Sequence, residues 1–127
     1  MERRKELLER VMELSGQRLQ ACYQCGKCTA GCPVHSFMDI KPREMIRRIL
    51  EDDREVLDSK TPWICATCFT CSARCPNEID IARVMEALRA ILLRAGVDHF
   101  SPSQLSQTDL EQLPQIALIS CFRKMTG

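Results

Sequence analysis

The stretch CYQCGKCTAGCP, Cys22 to Pro33, sets four cysteines at intervals of three, three and four residues and closes the set with a proline. A second stretch, CATCFTCSARCP, Cys65 to Pro76, repeats every cysteine and the proline 43 residues further on. Eight of the nine cysteines fall in these two runs, and Cys121 is left over. At that density, and with no secretory signal, the pattern points to metal ligation rather than to a disulfide framework. The N-terminal MERRKELLER is charged and has no apolar signal core behind it, so a cytoplasmic chain is expected.

Three cysteines at successive intervals of three can wrap a loop around one cubane cluster, and the fourth thiolate must then come from elsewhere. In proteins that hold two such clusters, the last cysteine of a CxxCxxCxxxCP run ligates the other cluster, because the chain after the proline leads away. The spacing therefore predicts two [4Fe-4S] clusters with interlocked ligands. Cys22, Cys25, Cys28 and Cys75 hold the first, and Cys65, Cys68, Cys71 and Cys32 the second. Zinc instead favours two separated CxxC knuckles. Each cluster then ties together segments about 50 and about 40 residues apart and constrains the unfolded chain as a cross-link does, so the cluster-free protein is expected to fold poorly. Gly26 and Gly31 allow close backbone approach in the first run, with amides able to point at sulfur. Phe69 and Arg74 stand in their places in the second, so the two clusters are expected to differ in environment and potential.

The segments between the runs read as helices. Residues 2–14 place Leu7, Leu8, Val11, Met12 and Leu14 at helical spacing, with Gly16 ending the pattern. KPREMIRRILEDD opens on Pro42 and puts Met45, Ile46, Ile49 and Leu50 on one face. Thr61-Pro62 reads as a helix start that presents Trp63 and Ile64 before Cys65. After Pro76, apolar residues recur at Ile81, Val84, Met85, Leu88, Ile91 and Leu92 up to Gly96. The tail shows capping-box patterns at Ser101–Gln104 and Thr108–Glu111, with Pro114 either in a first turn or breaking the helix. No run of period-two alternation appears, so the fold class is all-α, with a pseudo-two-fold repeat of cysteine loop and amphipathic helix.

At 127 residues one domain is expected: an N-terminal helical arm over 1–20, a two-cluster core over 21–97 and a helical tail over 98–127 for partner contact. Arm and tail are both surplus to holding clusters. Eighteen basic against 17 acidic residues leave a charge of +1, which draws the chain neither to nucleic acid nor to an anionic membrane surface. Apolar runs such as AILL and IALI are far shorter than the roughly 20 residues a membrane span needs.

Four-cysteine ligation of both clusters leaves no open iron for substrate. The sequence shows no Ser/His/Asp set, phosphate loop or paired-carboxylate pattern, so electron transfer is expected and catalysis by this chain alone is not. His35 reads as a surface residue or a support to a ligand, and His99 as a loop residue. Cys121 reads as a small hydrophobe, and Trp63 as packing beside a cluster. Arg47, Arg48, Lys60 and Arg74 read as solvated charges able to meet an acidic partner.

With helical rather than strand-like connections, the double CxxCxxCxxxCP resembles the α-helical ferredoxin fold. Within it, CYQCGKCTAGCP followed by WICATCFTCSARCP looks most like the C-type iron-sulfur subunit of heterodisulfide reductase. The resemblance covers residues 20–95, and the tail LPQIALISCFRKMTG is similar to the end of such subunits. It implies a non-catalytic subunit that passes single electrons from an FAD-containing, iron-sulfur-rich flavoprotein to a cysteine-rich, disulfide-reducing protein of the same complex. Iron-sulfur subunits of the fumarate reductase and glycolate oxidase type share the cysteine pattern. A diffusible two-cluster ferredoxin is the other electron-transfer reading, and the near-neutral charge speaks against it. A zinc-stabilised interaction module is the non-redox reading.

Overall fold

The computed structural model describes residues 6–127. The chain divides into two compact units, Met1–Leu88 and Arg89–Gly127. The described residues form eight α-helices joined by short 3₁₀ turns and loops, with no strand among them, as the all-α reading requires.

In the first unit, α1 (Glu6–Ser15) buries Leu7, Leu8 and Val11, and α3 (Pro42–Leu50), on which it packs, buries Met45, Ile46 and Ile49. The Leu8 amide, one of the donors a helix start leaves without an intrahelical partner, donates to Asp52 Oδ1 at 3.1 Å. The apolar face of the N-terminal arm is therefore used inside the chain and is not a free partner surface. Apolar spacing locates this helix but does not reveal what it packs on, and residues 2–5 of the expected helix lie outside the described residues. Gly16, at φ +68°, ends the helix in the left-handed conformation.

The two-fold repeat is visible in the backbone. Gln24 and Gly26 take positive φ in the first cysteine loop, and Thr67 and Phe69, each 43 residues later, take it in the second. Each loop runs directly into a one-turn helix, α2 (Lys27–Gly31) and α5 (Thr70–Arg74), and these two pack against each other. Both end on a cysteine with extended backbone, Cys32 and Cys75, just before the proline. From there the chain leads to the long helices α3 and α6 (Ile81–Leu93). A hydroxyl at the same place in each short helix ties it to the long helix that follows. Thr29 Oγ1 accepts from the Arg43 amide at 3.0 Å, and Ser72 Oγ donates to Asp80 Oδ1 at 2.7 Å while that oxygen caps the Arg83 amide.

Between the halves, α4 (Thr61–Ile64) delivers the chain to Cys65. Thr61 does not act as its N-cap. It is fully buried as the first helical residue, and its hydroxyl bonds Asp39 Oδ1 (2.9 Å) and the Ile40 carbonyl (2.6 Å). Asp39 also accepts from Ser59 Oγ, the Lys60 amide and the Ile40 amide, which clamps the chain before α3 to the chain before α4. Burial works to raise the Asp39 carboxyl, but these hydrogen bonds outweigh it and hold the group down at about 2.

In the second unit, α7 (Gln107–Gln112) starts at a capping box formed by Ser106 and Asp109, two residues earlier than the Thr108–Glu111 pattern suggests. Ser101–Gln104 forms no box: Ser101 Oγ lies 2.9 Å from Ser103 Oγ, at the start of a 3₁₀ turn. Pro114 separates α7 from α8 (Gln115–Met125), acting as a break rather than a first-turn residue. The C-terminal end of α8 is tied to residues 98–100. The His99 amide donates to the Met125 carbonyl, the Gly127 amide to Asp98 Oδ1, and Phe100 stacks on Phe122 with ring centroids 5.8 Å apart.

Candidate iron-sulfur centres

Two concavities of nearly equal size lie in the first unit. One, of about 380 Å³, is lined by Cys22, Cys25, Cys28 and Cys75, with Ile46, Pro76, Ile79 and Ile81 among its apolar walls. The other, of about 370 Å³, is lined by Cys65, Cys68, Cys71 and Cys32, with Val34, Met38, Pro42, Ala82 and Met85. Three cysteines of one run and the last cysteine of the other thus face each space. The cause is local. Paired left-handed residues curl each loop so that its three cysteines turn inward. The short helix then carries the fourth cysteine across the α2–α5 contact to its neighbour's side.

The donor sets suit an iron-sulfur cubane: four thiols each, no competing carboxylate among the described residues of the walls, and apolar surroundings that limit water. Among the described residues, no three His, Cys, Asp or Glu side chains close on a point that a single metal ion would occupy. Cys25 and Cys68, at equivalent places, are the outward corners, whereas Cys65 is buried and the other ligand candidates are half-buried.

Sulfur is not left bare. Cys22 Sγ accepts from the Gln24 amide (3.4 Å) and from Gln24 Nε2 (3.3 Å), and Cys75 Sγ accepts from the Ile79 amide (3.4 Å). Around the second space, Cys68 Sγ lies 3.4 Å from Thr70 Oγ1, and this contact holds the Cys68 thiol below its ordinary range. Burial pushes the Cys71 thiol up to about 11, against an opposing hydrogen bond from Ser72, and pushes Cys28 up as well. In the ligand-free chain these two therefore hold their protons, and ligation must release them.

The remaining candidates lie outside both cavities. His35 is exposed, and its Nδ1 donates to the Cys32 carbonyl at 2.9 Å, steadying the backbone of a candidate ligand. Trp63 is buried on α4, two residues before Cys65, and lines neither space. Cys121 is half-buried on α8 in the other unit. Arg48 is not a free solvated charge: it pairs with Glu44 at 2.7 Å and Asp53 at 3.5 Å. Arg74 lies against Gly31.

Several contributors escape a reading of the cysteine pattern. Arg43 lines the first concavity, and Gln24 supplies two donors to one sulfur. Asn77 Nδ2 donates to the Ala21 carbonyl, and Gln17 Oε1 accepts from the Asp80 amide at 2.9 Å. These two bonds tie the entry of the first loop to the exit of the second. A signal for Arg43 is present in the sequence, as the second residue of a helix following a CP stretch, where Ala82 stands in the other half.

The sequence profile of the 4Fe-4S dicluster domain matches residues 18–79, the span that holds all eight paired cysteines. The C-type subunit of the Ferredoxin:CoB-CoM heterodisulfide reductase of Methanosarcina acetivorans is 39% identical over 79 residues, covering 62% of this chain and 32% of that protein. The second C-type iron-sulfur subunit of the CoB–CoM heterodisulfide reductase of Methanocaldococcus jannaschii is 40% identical over 78 residues, 61% of this chain and 42% of that one. The corresponding subunit of the Methanosarcina mazei Ferredoxin:CoB-CoM enzyme is 32% identical over 106 residues, 84% of this chain and 66% of that one. In the first two matches this chain spans about a third to two fifths of its relative's length.

Proposed function

Because the chain is a two-[4Fe-4S] dicluster protein related to the C-type subunits of heterodisulfide reductases, we propose that it is the electron-relay subunit of a complex of that type. Cys22, Cys25, Cys28 and Cys75 hold one cluster, and Cys65, Cys68, Cys71 and Cys32 hold the other. The clusters supply reversible one-electron reduction. The protein's part is to fix them close together across the α2–α5 contact, to keep water from most of their surface and to donate hydrogen bonds to their sulfur ligands. The single observation that carries this reading is the pair of concavities, each bounded by three cysteines of one run and the last cysteine of the other.

In this reading the chain works in the cytoplasm and catalyses no bond change itself. Electrons arrive from an FAD-containing partner and leave to a cysteine-rich one that reduces a disulfide. No helix among the described residues is long and apolar enough to cross a membrane. The C-terminal tail is the partner-contact region: Leu110, Leu113, Ile116 and Ile119 are exposed on α7, on α8 and in the link between them.

Two measurements test it. In anaerobically purified protein, Cys75→Ser is expected to alter the electron paramagnetic resonance of the same cluster that Cys25→Ser alters, and Cys32→Ser that of the Cys68→Ser cluster. If each substitution affects only the cluster of its own run, the crossed ligation is wrong. Anaerobic affinity purification from the native host is expected to bring down a flavoprotein and a cysteine-rich protein, and a chain recovered alone refutes the subunit role.

A further inference from the structure

The two concavities match in thiol count but not in charge. The first turns of α3 and α6 face them in equivalent ways. Arg43 and Ile46, second and fifth in α3, line the first, and Ala82 and Met85, second and fifth in α6, line the second. Among the described residues lining either space, Arg43 is the one cationic side chain. It lies along the cysteine loop: a Cβ added at Gly26 would sit 3.6 Å from Arg43 Cδ and 3.9 Å from Nη1. In the other half the sizes are exchanged, Phe69 standing for Gly26 and Ala82 for Arg43.

Hydrogen bonds add to the charge at the first site: Cys22 Sγ accepts from the Gln24 amide and from Gln24 Nε2, and Cys75 Sγ accepts from the Ile79 amide. Reducing a cluster adds one negative charge. A nearby cation and N–H donors aimed at sulfur therefore stabilise the reduced form and raise the potential. Arg74, the cation that packs between the short helices, lies over Gly31 and lines neither space.

We propose that Arg43, with Gln24, sets the cluster held by Cys22, Cys25, Cys28 and Cys75 at the higher reduction potential of the two, so that it is reduced first. The inference rests on the crossed ligand assignment proposed above. Passage of an electron from the second site to the first is then downhill. One electron leaves one iron-sulfur group, one enters the other, and no proton changes place. The outside donor and acceptor are one-electron carriers of the flavin or iron-sulfur class.

The test is an anaerobic redox titration of the intact chain followed by electron paramagnetic resonance, with iron near eight atoms per chain, as expected for two cubanes, as the check on occupancy. Signals are assigned by Cys75→Ser and Cys32→Ser. In the unaltered protein, the signal perturbed by Cys75→Ser is expected to develop at the higher potential, and the reverse order overturns the proposal whatever the variants do. Arg43→Gln is expected to lower that midpoint alone. At the original midpoint the reduced-to-oxidised ratio should fall about threefold or more, where tenfold corresponds to about 59 mV for a one-electron couple. Arg43→Lys keeps the charge and is expected to hold the midpoint near its original value. Arg47→Gln, exposed on the same helix and lining neither space, should move nothing. An Arg43→Gln protein with full iron and unshifted midpoints defeats the role of Arg43. If Cys75→Ser and Cys65→Ser perturb one and the same signal, the ligand assignment fails instead, so the two failures are distinguishable.

Discussion

Gly31 and Arg74 occupy the same place in the two halves of the repeat, and they meet: a Cβ built on Gly31 would stand 2.5 Å from Arg74 Cδ and 2.9 Å from Nε. Where α2 packs on α5, the pseudo-two-fold relation brings this position against its own equivalent, and two large side chains would crowd there. The repeat is therefore broken here. One half carries glycine so that the other can carry arginine.

This makes Gly31→Ala depend on its partner. Alanine favours a helix over glycine by roughly 0.5–1 kcal/mol, and here it must also push aside the outer part of the exposed Arg74 side chain, which offsets part of that gain. Gly31→Ala is expected to raise the thermal midpoint of the cluster-loaded protein less in the native background than in an Arg74→Ala background. A double-mutant cycle by thermal unfolding checks this, and equal effects in both backgrounds would count against the contact.

The loop kinks predict an opposite pair of effects. Phe69 holds φ at +61° while half exposed, and Gly26 holds +81°. A left-handed non-glycine residue is strained by roughly 1–2 kcal/mol. Gly26→Ala is expected to destabilise the first loop by about that much, because the nearest contact, Arg43 Cδ at 3.6 Å, adds no clash. Phe69→Gly is expected to cost little, since strain relief offsets the freedom that glycine restores to the unfolded chain. Chemical denaturation of both variants, with iron content matched, measures the difference.

Much of this is readable from the cysteines alone. Their spacing groups Cys22, Cys25, Cys28 and Cys75 apart from Cys65, Cys68, Cys71 and Cys32, and the two concavities are lined by these same groups. Helix positions follow from apolar spacing in the same direct way. What periodicity does not give is the partner of each face. Leu7, Leu8 and Val11 mark an amphipathic helix whether it covers its own chain or another, and only the packing on α3 decides between these. The Asp39 clamp joins residues about 20 apart through side-chain oxygens, which leave no periodic trace. At the N-terminus of α7, several capping-competent residues crowd into SQTD, so that Thr108 competes on paper with the Ser106 that geometry selects.

That clamp supplies a pH-dependent prediction. Asp39 is held at about 2, below the unfolded value near 3.9, so its contribution is fully present above about pH 4 and is lost as pH falls through about 2. Across the pH range in which clusters survive, the carboxylate stays ionised and the contribution is constant. Asp39→Ala leaves the buried Ser59 hydroxyl short of an acceptor and is expected to lose about 1–3 kcal/mol. The deficit should be equal at pH 6 and pH 8 in denaturant titrations. A deficit that changes steeply between those values would show that another titrating group carries it.

Cluster assembly, by contrast, should depend on pH in that range. The Cys71 thiol, pushed up to about 11 by burial, and Cys28, shifted the same way, are protonated in the ligand-free chain, and the cluster accepts thiolates. Each such proton must be released on ligation, so the apparent affinity for cluster falls by up to about tenfold per pH unit for each thiol. Anaerobic reconstitution from iron and sulfide is therefore expected to reach a lower iron content at pH 6.5 than at pH 8.5. Both clusters share this dependence, because Cys28 in one set and Cys71 in the other stay protonated across that range. Removing the second cluster with a chelator at low pH is expected to separate the paths of Cys65, Cys68 and Cys71 from that of Cys32. The helical circular dichroism should then drop together with the visible absorbance. Full retention of helix after cluster loss would show that the fold stands without the cross-links.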